Sequence, residues 1–93
     1  MIKTFRDADT ERLWKEERSR RIPASLRKTA LKRLQILNAA AALGDLALPP
    51  GNRLERLRGD REAQHSIRVN DQYRVGFEWR DGNAYEVEIT DYH

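Results

Sequence analysis

His65-Ser66-Ile67-Arg68-Val69-Asn70-Asp71-Gln72-Tyr73-Arg74-Val75-Gly76-Phe77-Glu78-Trp79 carries the pattern of a β-hairpin. Apolar side chains alternate on both sides of Asn70-Asp71-Gln72, which is the period of half-buried strands joined by a short loop. A three-residue loop sets Val69 opposite Tyr73 and Ile67 opposite Val75, keeping apolar with apolar. A slip of one residue would send each set to the wrong face. The same register puts Arg68 directly across from Arg74. Like charges in that position are destabilising, and a purely structural role leaves the pair uncompensated. An anionic ligand between them supplies what is missing.

Working outward, Tyr85, Val87 and Ile89 alternate in a further strand. A loop at Asp81-Gly82-Asn83 would pair Trp79 with Tyr85, Phe77 with Val87 and Val75 with Ile89. Arg74 then faces Thr90, with Tyr92 on the same face just beyond. Upstream, Leu54 to Arg58 reads as a weaker strand before a turn at Gly59-Asp60, and brings Arg53 and Glu55 toward the same end of the sheet. Phe77, Trp79 and Tyr85 share the Val75 face and read as core rather than as platforms for bases. His65, at the strand end away from Arg74, reads as structural or surface.

The first half has a different period. Ile2 to Arg6 alternates weakly as a short first strand, and Asp9-Thr10 offers caps for a helix through Glu11-Arg12-Leu13-Trp14-Lys15-Glu16. Arg18-Ser19-Arg20-Arg21 is a polar connection, and Pro23 fits the first turn of a second helix, where its missing N–H does no harm. Leu26, Ala30, Leu34, Leu37 and Ala41 share one helical face, with Arg27, Lys28, Lys32 and Gln35 opposite. Gly44 stands where a C-terminal cap is expected, giving a helix of roughly 20 residues. Leu48-Pro49-Pro50-Gly51-Asn52 then breaks regular structure. The fold class is α+β: two N-terminal helices packed on a small antiparallel β-sheet, with residues 1–93 as a single domain.

Composition narrows the chemistry. The chain of 93 residues has no cysteine, which excludes disulfides, thiolate metal sites and a cysteine nucleophile. Two histidines without supporting spacing do not suggest zinc. No leader-like h-region and no long apolar run occur, so a cytoplasmic protein with no membrane role is expected. Of the 18 basic residues, lysine accounts for positions 3, 15, 28 and 32 and arginine for the other 14. The first 46 residues hold 11 basic and six acidic residues, the remainder seven and nine. Arginine suits bidentate phosphate contact and stacking on bases, so this bias favours an anionic partner such as RNA.

The last three residues, Asp91-Tyr92-His93, are all ionisable. His93 exchanges protons near neutral pH, and the Tyr92 hydroxyl donates or accepts. With Arg68, Arg74 and Glu55, Tyr92 and His93 would form one concave patch. That set meets the needs of phosphodiester cleavage: a base takes the 2′-hydroxyl proton, cations stabilise the phosphorane, and an acid protonates the leaving oxygen. Arginines can supply the charge without a metal. Plain RNA binding by a basic patch is the equal alternative on this pattern.

Three blocks carry a resemblance. Pro49-Pro50-Gly51-Asn52-Arg53-Leu54-Glu55-Arg56-Leu57-Arg58-Gly59-Asp60-Arg61, then Ser66-Ile67-Arg68-Val69-Asn70-Asp71-Gln72-Tyr73-Arg74, then Glu88-Ile89-Thr90-Asp91-Tyr92-His93 together resemble the HigB toxins of the RelE/ParE superfamily. The resemblance spans essentially the whole chain. It implies a RelE-like fold and a bacterial type II toxin that cleaves mRNA in the decoding site of the ribosome, stopping translation, without a cofactor. It implies as partner a helix-turn-helix antitoxin of the HigA type, with operator DNA reached only through that antitoxin. Asp91, Tyr92 and His93 match the terminal catalytic residues, and Arg74 matches the arginine on the scissile phosphate, with Arg68 opposite. Arg58 stands where some members carry a catalytic lysine, and Glu55 where some carry a catalytic histidine. Either Glu55 is the base or the acid–base work has passed to Tyr92 and His93. Arg53 and Arg61 are candidate phosphate contacts, although Arg61 could instead cap its turn. The basic face of the long helix is open to either antitoxin or ribosomal RNA. The competing function is a non-cleaving one: a ParE-like gyrase inhibitor, or a weakened toxin acting in repression with its antitoxin.

Overall fold

The computed structural model describes residues 1–47, 50–56 and 64–91. Among them are helices α1 (Ala8–Glu16) and α2 (Ala24–Ala39), then strands β1 (Glu55–Arg56), β2 (Gln64–Arg68), β3 (Tyr73–Arg80) and β4 (Asn83–Asp91). The strands form one sheet in the order β1-β2-β3-β4, each antiparallel to its neighbours. The expected α+β arrangement is the one found. Both helices lie against the sheet, α2 touching β3 and β4 and α1 touching α2 and β4.

The core is made by two alternations meeting. Ala30, Leu34 and Leu37 are the buried stripe of α2, and Ile67, Val75, Phe77, Ala84, Val87 and Ile89 are the inner face of the sheet. Leu13, Ile22 and Leu46 close the edges. Each large apolar side chain sealed in this way contributes about 1.5–3 kcal/mol. Thr10 is a buried polar exception whose hydroxyl accepts the Ile89 N–H at 3.1 Å. This bond pins α1 to β4 one residue from Thr90, the partner of Arg74.

The helices begin and end differently from expectation. α1 starts at Ala8 after Asp7 in extended conformation, so Asp9 and Thr10 lie inside the helix and do not cap it. Asp9 instead gathers the loop that follows, accepting the Ser19 hydroxyl at 2.5 Å and the Arg20 N–H at 2.8 Å. α2 spans 16 residues and stops at Ala39, because Ala40 turns to extended backbone. The Asp45 carboxylate then collects the N–H groups of Ala41 and Ala42, each at 3.0 Å. Gly44 therefore sits within a 3₁₀ turn, Leu43–Leu46, and is not the cap of α2. Ala41 is exposed and Ala40 takes the buried position.

The β2–β3 register is the expected one. Ile67 pairs with Val75 and Arg68 with Arg74, and the Val69 N–H reaches the Tyr73 carbonyl at 2.9 Å across the Asn70-Asp71-Gln72 loop. The β3–β4 register holds at the Arg74 end, with Val75 opposite Ile89 and Arg74 opposite Thr90. It shifts between Gly76 and Glu78, so Trp79 pairs with Ala84 and Glu78 with Tyr85. The loop contracts to Asp81-Gly82, both at positive φ (51° and 77°), the geometry that favours a two-residue hairpin. The extra residue is absorbed in β4 around Glu86, whose φ is 51°. Its N–H bonds the Thr4 hydroxyl at 2.8 Å.

Tyr85 is thereby turned to the outer face and is not part of the core. The Arg80 guanidinium stacks on its ring, 4.3 Å from the centroid. The Ile2–Arg6 segment runs parallel to β4 as two isolated bridges, Ile2 to Ala84 and Phe5 to Val87. Of the weaker strand expected from Leu54 to Arg58, the described part is Glu55–Arg56. The turn at Gly59-Asp60 lies outside the described residues.

Candidate functional site

The outer face of the sheet, away from the helices, carries the candidate site. Glu55 pairs with Ser66, and Arg68 pairs with Arg74. Since side chains alternate faces along a strand, Glu55, Ser66, Arg68, Arg74 and Thr90 share this surface. Arg53, Glu55, Arg68, Asn70, Asp71 and Arg74 line a shallow depression of about 300 Å³. The structure thus brings together four expected site residues: Arg53, Glu55, Arg68 and Arg74.

Arg74 is the best-held side chain of the group. Its Nε donates to the Ser66 hydroxyl at 2.7 Å, and Nη2 donates to the Arg53 carbonyl at 2.5 Å and the Ser66 carbonyl at 3.2 Å. Its side chain is 11% exposed, and Nη2 lies 3.9 Å from Glu55 Oε2. Arg53 reaches this arrangement with φ of 44°, an unusual backbone for a residue with a side chain. The segment before it is fixed by Asn52, which is fully buried. Asn52 donates to the Leu46 carbonyl at 3.2 Å and accepts from Arg33 Nη1 of α2 at 2.7 Å. The helix layer therefore sets where the Arg53 carbonyl points.

Arg68 is held differently, by a charged hydrogen bond to Asp71 in the hairpin loop. The Asn70 side chain shapes that loop, accepting the N–H groups of Gln72 at 2.9 Å and Tyr73 at 2.7 Å. Arg68 and Arg74 are thus register partners across β2 and β3, each with one carboxylate nearby, Asp71 for Arg68 and Glu55 for Arg74. Both carboxylates are mostly exposed, 98% and 61%, so water screens them and an anion entering the depression meets a cationic floor.

Asp91 is placed apart from this group. It pairs with Tyr73, which puts it on the face opposite Arg74, and its Oδ2 accepts from Gln72 Nε2 at 2.9 Å. Arg58, Arg61, Tyr92 and His93 lie outside the described residues. His65 stacks on Phe77 with ring centroids 6.0 Å apart, on the inner side of the sheet. Among the described residues, no cluster of three or more His, Cys, Asp or Glu side chains is arranged to hold a metal ion. No helix there is long and apolar enough to cross a membrane.

Sequence reading missed Ser66 and the Arg53 carbonyl. Ser66 had one available signal: it has the same parity in β2 as Arg68, and so shares its face. The role of a backbone carbonyl leaves no trace in residue identity.

Among the described residues, the carboxylate with a perturbed pKa is Asp9, in the helix layer. Burial pushes Asp9 up, but hydrogen bonds from Ser19, Arg20 and Arg21, with the Arg21 charge, hold its carboxyl below the usual carboxylate range.

Residues 3–93 match the model of the HigB-like toxin family, described as RelE-like toxins of the type II toxin-antitoxin system HigB. The chain belongs to that family. Toxin HigB-1 of Vibrio cholerae serotype O1 is 45% identical over 90 residues, covering 96% of this chain and 95% of the relative. Endoribonuclease HigB of Proteus vulgaris is 33% identical over 97 residues, covering 100% of both. An uncharacterized protein of Haemophilus influenzae is 33% identical over 69 residues, covering 74% of this chain and 68% of the relative. As a HigB-like toxin, the chain has an antitoxin for a partner.

Proposed function

We propose that this HigB-like toxin is an endoribonuclease that cleaves mRNA on the ribosome and so stops translation. The observation that carries the reading is the Arg68–Arg74 pair, two like charges opposite each other in the strand register that both line a shallow depression. A phosphodiester seated between them relieves their repulsion and receives donors from both sides. The relative named Endoribonuclease HigB, matched along its whole length, supports the activity.

In the reaction, a base removes the proton of the 2′-hydroxyl, and that oxygen attacks the adjacent phosphorus. Charge builds on the non-bridging oxygens, where Arg74 and Arg68 stabilise it. The bond to the 5′-oxygen breaks, and that oxygen takes a proton from an acid, leaving a 2′,3′-cyclic phosphate and a 5′-hydroxyl. Glu55, at the mouth of the depression, and the terminal Tyr92 and His93 divide the acid and base work, while Asp91 lies on the face opposite Arg74. Arg53, Arg58 and Arg61 hold flanking phosphates. The partner antitoxin is of the helix-turn-helix HigA type, and operator DNA is reached only through it. Action on the ribosome places the protein in the cytoplasm.

The test is to add the purified chain to programmed ribosomes carrying end-labelled mRNA. Fragments with cyclic phosphate ends, formed only when ribosomes are present, are expected. Intact mRNA with folded protein would overturn the proposal, and inhibition of gyrase supercoiling by the same preparation would move the toxin to a non-cleaving class.

A further inference from the structure

Three features stand outside the roles given above: the arginine-lined cleft of Arg12, Arg18, Arg20 and Arg27, the α1–α2 groove, and the buried hydroxyl of Ser66. In the first, Arg12 is paired with Asp9 at 3.6 Å, Glu16 lines the same cleft, and Arg27 Nε is bound to the Ile22 carbonyl at 3.1 Å, so part of its charge is offset and part of its donor capacity is engaged. The second is lined by Glu17 together with Arg27 and Lys28, and so presents no single sign of charge to a partner. Ser66 carries the inference furthest.

Ser66 is fully buried, in the middle of β2, and its hydroxyl accepts the Arg74 Nε–H at 2.7 Å. A guanidinium has five N–H groups. Nε is directed at Ser66 Oγ, and Nη2 at the carbonyls of Arg53 and Ser66. The Nε–Nη2 edge, by which arginine commonly grips an oxyanion, is therefore docked on the protein itself. Among the described residues Nη1 meets no acceptor, which leaves it as the donor for a ligand, presented end-on.

We propose that Ser66 is a positioning residue: its hydroxyl fixes the plane of the Arg74 guanidinium so that Nη1, and not the Nε–Nη2 edge, meets the scissile phosphate. This rests on the reading that Arg74 contacts that phosphate. An arginine side chain is long and freely rotating, and holding it in place before substrate arrives removes an ordering cost from the reaction. The hydrogen bond from a guanidinium to the hydroxyl is charge-assisted and directional. The two carbonyl contacts of Nη2 still tether Arg74 when the hydroxyl is lost, but they permit rotation about that nitrogen. The donor then points away from the oxygens that gain charge in the transition state, while ground-state attraction of the cation persists.

The experiment measures kcat and KM for mRNA cleavage on programmed ribosomes with Ser66→Ala, Ser66→Cys and Ser66→Thr. Ser66→Ala is expected to lower kcat about 10- to 100-fold with KM changed less than about threefold. Ser66→Cys fills the same space with a weak acceptor and is expected to fall likewise, which keeps the test open if the alanine variant does not fold. Ser66→Thr retains the hydroxyl and is expected to restore kcat. In an Arg74→Lys background, which has no Nε–H to be held, Ser66→Ala is expected to add less than a twofold loss.

Equal kcat for wild type, Ser66→Ala and Ser66→Cys, alongside a loss for Arg74→Lys, would overturn the role of Ser66 and leave that of Arg74 standing. An undiminished kcat for Arg74→Lys and Arg74→Ala would instead remove the phosphate contact on which the inference rests. Equal losses from Ser66→Ala in the wild-type and Arg74→Lys backgrounds would mean that Ser66 acts through packing, which also overturns it.

Discussion

Asp71→Asn should make the toxin bind mRNA more tightly. Asp71 is the carboxylate that holds Arg68 in the free protein, and its side chain is 98% exposed. A phosphate approaching Arg68 must displace it. Exposed ion pairs of this kind are worth about 0.2–1 kcal/mol, and the substitution removes that competition. The gain in affinity is then about 1.4- to 5-fold, with little change in folding stability, because asparagine keeps the shape of the loop. The effect should shrink as salt rises and screens the exposed pair. Titrating programmed ribosomes with a cleavage-silenced Arg74→Ala toxin, with and without Asp71→Asn, reads the difference directly. Weaker binding by the Asp71→Asn protein at low salt would refute the idea that Asp71 competes with phosphate.

Asn52→Ala removes a buried side chain that joins the Leu46 carbonyl to Arg33; a loss of about 2–3 kcal/mol in denaturant unfolding is expected, with a fall in activity as the Arg53 carbonyl loses its support. Asp9→Asn should destabilise the fold by about 1–3 kcal/mol at neutral pH. Because the folded-state pKa of Asp9 is depressed, this stability is present above the ordinary carboxylate value of 3.8 and is lost as pH falls through the folded value. Thermal melts of the two proteins should therefore converge in acid, and a gap that persists there would contradict the role given to Asp9. Deleting Tyr92 and His93, or substituting Tyr92→Phe with His93→Ala, should abolish growth arrest in cells while antitoxin binding is retained. A truncated chain that is still toxic would mean that the terminal residues play no chemical part.

Strand parity made the Arg74 end of the sheet readable. Arg68 opposite Arg74, and Arg74 opposite Thr90, follow from keeping Val69, Tyr73, Ile67, Val75 and Ile89 on one side. The far end was not readable in the same way, because the extra residue at Glu86 inverts parity beyond it and turns Tyr85 outward. Nothing in Tyr85-Glu86-Val87 signals that a non-glycine residue adopts positive φ there. The end of α2 was hidden for a similar reason: Asp45 competes from outside the helix for N–H groups that periodicity assigns to its continuation. In the site, charged side chains announced themselves by type and spacing. The groups that aim Arg74, a small serine and a main-chain oxygen, are defined by geometry alone.

In the proposed function, the paired arginines on the outer face are the phosphate-holding half of an RNA-cleaving site. The most direct measurement is the single-turnover cleavage rate of end-labelled mRNA on programmed ribosomes, comparing wild type with an Arg74→Ala protein verified to fold and to bind its antitoxin. Cyclic phosphate fragments are expected from wild type, with a rate lowered by about 100-fold or more in the variant. Cleavage by the Arg74→Ala protein at the wild-type rate would contradict the proposed function.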